Sequence, residues 1–359
     1  MFSAKPHFSL HSASTDESSL LCNECLELPS RPVIEPPSLP APPQVLSRVT
    51  SVHPFKRCIL LQWVMEVAAS FCLKRQSYYL AVDLIDRYLE AYQVGNDKLQ
   101  LVGAAALYIS LKCEDTEVVS LYDMCRTTDF AFTQEQLVVM ELDILFKLDW
   151  KVYSTTPYSY LSWLMWEWDL FLMEKFNCKS LKEPSLKREA LGDITLQKKA
   201  VVYLQPNSTS TRRYHYSMLL LDSLNMHYYS KSFQVGELAV ALLFMVTKRF
   251  FEETQYGLLS DCMASYFCNP QESLNEEIAQ GALILYEMFS EFVYTTTPGV
   301  DLHTLISHME FVHEFMLELP EVFCSAEEVD SLASHYKELA TQTYSPLPAS
   351  LTTYLIKKC

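Results

Sequence analysis

The sequence is poor in glycine. Its 359 residues include seven, at positions 95, 103, 192, 236, 257, 281 and 299, and no two stand closer than eight residues. Dinucleotide fingerprints and P-loops need clustered glycines so that backbone N–H groups can approach phosphate, and both are excluded. Hairpin-rich β folds also place glycine at their turns, so the shortage favours an all-α chain. Basic charge is scarce too: 28 Lys+Arg against 44 Asp+Glu give a formal charge of −16. Nucleic-acid binding rests on phosphate contacts from clustered cations, so no nucleic-acid partner is expected.

Long apolar runs are missing. None reaches the ~18 residues of a membrane span, and the opening MFSAKPHFSLHSAS lacks a signal-peptide core, so no membrane association is expected. The eleven cysteines are odd in number and scattered through apolar segments, which suits reduced, intracellular thiols rather than a disulfide framework. Cys22-x-x-Cys25 has no second Cys/His pair nearby, so chance accounts for it better than half a zinc site. His303, His308 and His313 are spaced by five, wrong for sharing one helix face around a metal. No H-E-x-x-H, no G-x-S-x-G and no nucleophile with a neighbouring base is present. No catalytic residue, metal site or cofactor is therefore expected, and the chain is not read as an enzyme.

What the sequence has is apolar material, 49% of its residues, enough for about two helical domains. Residues 1–50 hold 8 of the 17 prolines and read as an extended, disordered tail. From Pro54, residues Ile59, Leu60, Trp63, Val64, Val67 and Phe71 fall on one helical face. A second helix is expected over Ser77–Tyr92, stopping at Gly95-Asn96. The third, Lys98 to Glu114, is apolar almost all round and thinned by Gly103 and Ala104–Ala106, the pattern of a helix surrounded by others. A short fourth helix spans Leu121–Arg126. The fifth begins after Thr133 and packs Leu137, Val138, Ile144, Leu145 and Leu148.

A second helical unit is expected over 153–340, interrupted at 177–213. That stretch carries eight basic and three acidic residues, a local +5, and reads first as a solvated insertion, second as a nuclear-import or docking patch. The segment around Gly236 echoes the small-residue helix at Gly103, so two five-helix units in tandem are plausible. Residues 341–359 read as a C-terminal tail.

Two charged pairs stand out within the first unit, 51–152. Arg57 opens helix one and Asp86 lies in helix two, where a bidentate clamp would hold the helices together; two independent surface charges is the other reading. Lys112 ends the most apolar helix, where a lysine ordinarily snorkels its ammonium to water.

The segments RCILLQWVMEV, DLIDRYL, KLQLVGAAALYISLKCED and QEQLVVMELDIL together resemble a cyclin box, carried by Arg57, Asp86, Leu101, Lys112 and Glu141. The segment SMLLLDSLNMHYYSKSFQVGELAVALLF is similar to the second cyclin fold of E-type cyclins. The resemblance implies two tandem five-helix cyclin folds and a regulatory subunit of a cyclin-dependent kinase acting at G1 or G1/S, in nucleus and cytoplasm. It assigns Arg57 and Asp86 to a structural ion pair, Leu101 to the box core, and Lys112 and Glu141 to the kinase contact. Cys113 stands beside them where relatives often carry Phe, which implies a smaller apolar contact.

The resemblance also implies a docking patch for Arg-x-Leu substrates or inhibitors: Lys56, Ile59, Leu60, Trp63, Glu66, Leu99 and Gln100. Ile59, Leu60 and Trp63 are equally open to a plain core reading. Lys56 replaces the family's Met and would repel a basic ligand, so docking is expected to be weakened or altered. In the tail, Leu20, Cys22 and Glu24 fit the Leu-x-Cys-x-Glu motif by which D-type cyclins bind retinoblastoma-type pocket proteins. Ser345-Pro346 is a candidate phosphorylation site. The alternative reading is a transcription-class cyclin-fold binding module, although the chain lacks the zinc ribbon and basic surface of that class.

Overall fold

The computed structural model describes residues 52–116, 119–180, 209–227, 234–263, 285–297, 300, 302–319 and 347–358. The Pro-rich segment 1–50, the Leu20-Cys22-Glu24 motif, residues 181–208 of the basic insertion and Ser345 lie outside them. All regular structure among the described residues is helical. The helices are α1 (Pro54–Ser70), α2 (Arg75–Ala91), α3 (Leu99–Glu114), α4 (Leu121–Arg126), α5 (Gln134–Lys147), α6 (Pro157–Ser180), α7 (Thr209–Met226), α8 (Val235–Met263), α9 (285–296), α10 (Leu302–Glu318) and α11 (Ala349–Lys358).

Local chemistry sets these boundaries. Pro54 supplies a preformed φ at the start of α1, and the His53 ring accepts from the Phe55 amide at 3.2 Å. Thr133 and Gln136 form a reciprocal capping box at the start of α5, each side chain bonding the other's backbone amide. The start of α2 is held from a distance: Asp115 accepts from the Lys74 amide at 3.0 Å and from the Ser77 hydroxyl. Asp149 and Trp150, at φ of 53° and 58°, turn the chain out of α5.

The thin, apolar α3 is the axis of the first five helices. It is buried from Leu101 to Leu111 without a break, with α1, α2 and α5 packed around it. Gly103 permits the closest approach: a Cβ there would lie 2.8 Å from Leu60 Cδ1 and 3.2 Å from Val64 Cγ2. In the later helices, Trp168 of α6 is fully buried and packs against Phe171, Phe289 and Phe292, with ring centroids 5.0–5.6 Å apart. The segment expected as a C-terminal tail contributes α11, which buries Leu351 and Leu355 against α1 and α7. Just before it, the Leu347 amide approaches Met65 Sδ at 3.3 Å.

Several expectations need correction. Ile59 does not share the buried face of α1; it is 43% exposed. The core face is instead Cys58, Leu61, Val64, Met65 and Ala68 with Leu60 and Val67, because α2, α3, α7 and α11 cover a wide arc of the helix. Val138 was expected to pack and is 36% exposed. The insertion at 177–213 is helical at both ends, since α6 runs to Ser180 and α7 opens at Thr209. Arg213, counted there as solvated, is buried and donates to Asp169 at 2.8 Å.

Candidate protein-interaction site at Lys112 and Glu141

The clamp at Arg57 forms as its chemistry requires. Nε donates to Asp86 Oδ1 at 2.8 Å and Nη2 to Oδ2 at 2.7 Å, a bidentate fork between α1 and α2. Burial works against the charge, but Asp86 outweighs it and holds the guanidinium above its ordinary value. The two independent charges of the alternative reading are excluded. A third contact was not foreseen: Nη1 donates to the Asn225 carbonyl at the end of α7, 2.9 Å away. The clamp thus joins the first helical set to the second.

Beside it, α2 and α7 share a buried polar seam that the sequence did not announce. Arg75 donates to Asp222 Oδ2 and the Tyr79 hydroxyl to Oδ1, both at 2.5 Å. Asp222 is fully buried. Burial pushes the Tyr79 phenol well up. Burial, with Arg75 nearby, depresses His215 on α7. The only local signal was an Asp following the apolar run Met218–Leu221; its partners lie 147 and 143 residues away.

The geometry brings Lys112 and Glu141 together at the surface. Lys112 Nζ donates to Glu141 Oε1, bridging the end of α3 to α5. The ammonium also lies 4.4 Å from the Tyr108 ring centroid, a cation–π contact. Lysine thus snorkels and pairs at once, its side chain 36% exposed and that of Glu141 15%. Cys113 is half-buried, its thiol pushed up by burial, and its carbonyl accepts from the Tyr153 hydroxyl at 3.2 Å. Leu101 is buried in the core as expected.

Away from this pair α5 carries a second apolar face, turned to solvent. Val139, Leu142 and Phe146 are 65%, 43% and 66% exposed. Trp150 continues the stripe, its ring edge-to-face with Phe146 at 5.7 Å. Helical spacing sets these residues opposite the buried Leu137, Ile144 and Leu145.

The residues matched to a docking patch differ in burial. Leu60 and Leu99 are buried in the core, Trp63 and Gln100 are half-buried, and Lys56, Ile59 and Glu66 are exposed. Glu66 accepts from Gln62 Nε2 at 2.9 Å. Among the described residues, no three His, Cys, Asp or Glu side chains cluster as a metal site, and no helix is long and apolar enough to cross a membrane.

Residues 35–153 match the cyclin N-terminal domain family. Over 109 residues, 30% of this chain, the sequence is 39% identical to a G1/S-specific cyclin-E of Hemicentrotus pulcherrimus, covering 25% of that protein. It is 41% identical over 111 residues to the G1/S-specific cyclin-E of Caenorhabditis elegans, covering 30% of this chain and 21% of that one. The match therefore spans only about a quarter of each relative. A viral cyclin from herpesvirus saimiri, solved by X-ray, aligns over 67% of this chain and 87% of its own at 18% identity, with a TM-score of 0.39. Residues 35–153 thus match that domain, and within them the arginine, aspartate, lysine and glutamate that carry the resemblance are paired in space.

Proposed function

We propose that this chain is a regulatory subunit that binds and activates a cyclin-dependent kinase, in G1 or at the G1/S transition, and helps direct it to substrates. The observation that carries the reading is the Lys112–Glu141 pair bridging α3 to α5 at the surface, on a helix that also exposes Val139, Leu142 and Phe146 to solvent. Exposed large apolar side chains of this kind suit a surface that a protein partner covers. The two cyclin-E relatives support the G1/S assignment.

The mechanism is a population shift. A kinase that rests mainly in an inactive arrangement is moved toward the active one by a partner with higher affinity for it, by no more than that difference in affinity. The chain supplies binding energy and no chemistry of its own. The exposed Ile59, Glu66 and Lys56 would give Arg-x-Leu ligands a weakened site, and Leu20, Cys22 and Glu24 a contact for a pocket protein. Nucleus and cytoplasm are the compartments that fit this role.

The test is co-purification with candidate kinases, comparing wild type with the Lys112→Ala/Glu141→Ala double variant. Binding and kinase stimulation are expected to fall at least ~10-fold, equivalent to about 1.4 kcal/mol. An unchanged circular-dichroism melt would show that the fold survives. A folded variant that binds and activates like wild type overturns the reading.

A further inference from the structure

Between α6, α7 and α8 lies a small cavity, the size of one water molecule, walled by Met165, Trp168, Asp169, Arg213, Ser217 and Thr247. Three polar atoms of these residues are buried with no hydrogen-bond partner among the described residues: Trp168 Nε1, Arg213 Nε and Ser217 Oγ. Trp168 and Ser217 are fully buried and Arg213 is 3% exposed. Buried polar groups left without a partner are strongly disfavoured, so three around one cavity indicate a ligand rather than a coincidence.

The donor set specifies that ligand. Trp168 Nε1–H and Arg213 Nε–H can only donate, the Ser217 hydroxyl can do either, and the Asp169 carboxylate can only accept. Thr247 is already satisfied, its hydroxyl donating to the Leu243 carbonyl at 2.7 Å. Arg213 is fixed by its Nη2 bond to Asp169 Oδ1 at 2.8 Å, leaving Nε for another partner. An anion would accept from both N–H groups but would face the Asp169 carboxylate. An apolar guest would satisfy none of the three.

We infer that the cavity is a built site for a single structural water, which accepts from Trp168 Nε1 and Arg213 Nε, donates to the Asp169 carboxylate and bonds Ser217. Such a water joins α6 to α7 at the wall they share with α8. The site is independent of the Lys112–Glu141 surface and of any kinase.

A high-resolution crystal structure of the full chain tests it first. The expected result is one density peak within hydrogen-bond reach of both Trp168 Nε1 and Arg213 Nε. Water-17O relaxation dispersion supplies the second measurement. Ser217→Thr, whose added methyl fills the cavity, should remove one long-lived water from the count. Ser217→Ala, the milder change, should keep that water but speed its exchange. Absence of the peak, direct bonding of the three groups to one another, or an unchanged count in a folded Ser217→Thr overturns the assignment. An anomalous peak at the site after a bromide soak overturns it in favour of an anion. Should Ser217→Thr fail to fold, the wild-type density decides.

Discussion

Two arginines, Arg57 and Arg75, lie at the ends of adjacent helices, are almost equally buried, and solve the same problem differently. Arg57 divides its donors between a carboxylate one helix away and a backbone carbonyl on α7. Arg75 sends Nη1 to Asp222, which lies on α7 itself and also takes the Tyr79 hydroxyl. Asp86 keeps some contact with water, its side chain 15% exposed, while Asp222 has none. A buried ion pair is thus a different object when one partner can still be hydrated: its loss strands less charge.

The sharpest way to break this contrast is to delete each carboxylate. Asp222→Ala should destabilise by about 3–5 kcal/mol, because a buried guanidinium loses its counter-charge where no water reaches. Asp86→Ala should cost less, about 2–3 kcal/mol, since Arg57 keeps the Asn225 carbonyl. Chemical denaturation of both variants under one condition gives the order; equal losses would remove the distinction. Replacing Arg75 and Asp222 together by Met and Leu should recover most of the Asp222→Ala loss, since well-packed apolar pairs often substitute for buried ions.

A smaller effect sharpens the comparison. Tyr79→Phe removes one bond to Asp222 while leaving Arg75 in place, and should cost about 1–2 kcal/mol by the same denaturation assay.

The smallest effect is a pH dependence. His215 is buried and depressed below its ordinary value of 6.5, first by burial and then by Arg75. Its folded form favours the neutral ring, so the unfolded chain binds more protons between the two values. Stability should hold above pH 6.5 and decline as pH falls below it, with His227, also depressed by burial, adding in the same direction. Arg75→Met should flatten the share owed to His215, read as a smaller loss of the denaturation midpoint between neutral and mildly acidic buffer.

What the sequence disclosed follows the same line between near and far. Features written within a few residues were legible: Pro54 opening α1, the Thr133 start of α5, the boundaries of α4, the unbroken apolar run of α3. Arg57 and Asp86 were legible because each flanks core residues in a familiar arrangement. Asp222 and Asp115 were not, because their partners lie tens to more than a hundred residues away and no local pattern marks them. Ile59 and Val138 were misplaced for a third reason. Helical spacing reveals that a face is apolar, not whether another helix covers it.

One contact bears on how the chain comes to be folded. Leu347, whose amide approaches Met65 of α1, follows it by 282 residues. On the ribosome, α1 emerges well before this contact can form, and this part of its buried arc waits for a segment made 282 residues later. Contacts so distant in sequence pay their loop-closure entropy before they return any stability, and they slow folding. The first helices therefore spend their early life with part of the α1 surface uncovered, when binding to chaperones or to other nascent chains is most favoured. Synthesis order, as much as packing, sets when this face of α1 is covered.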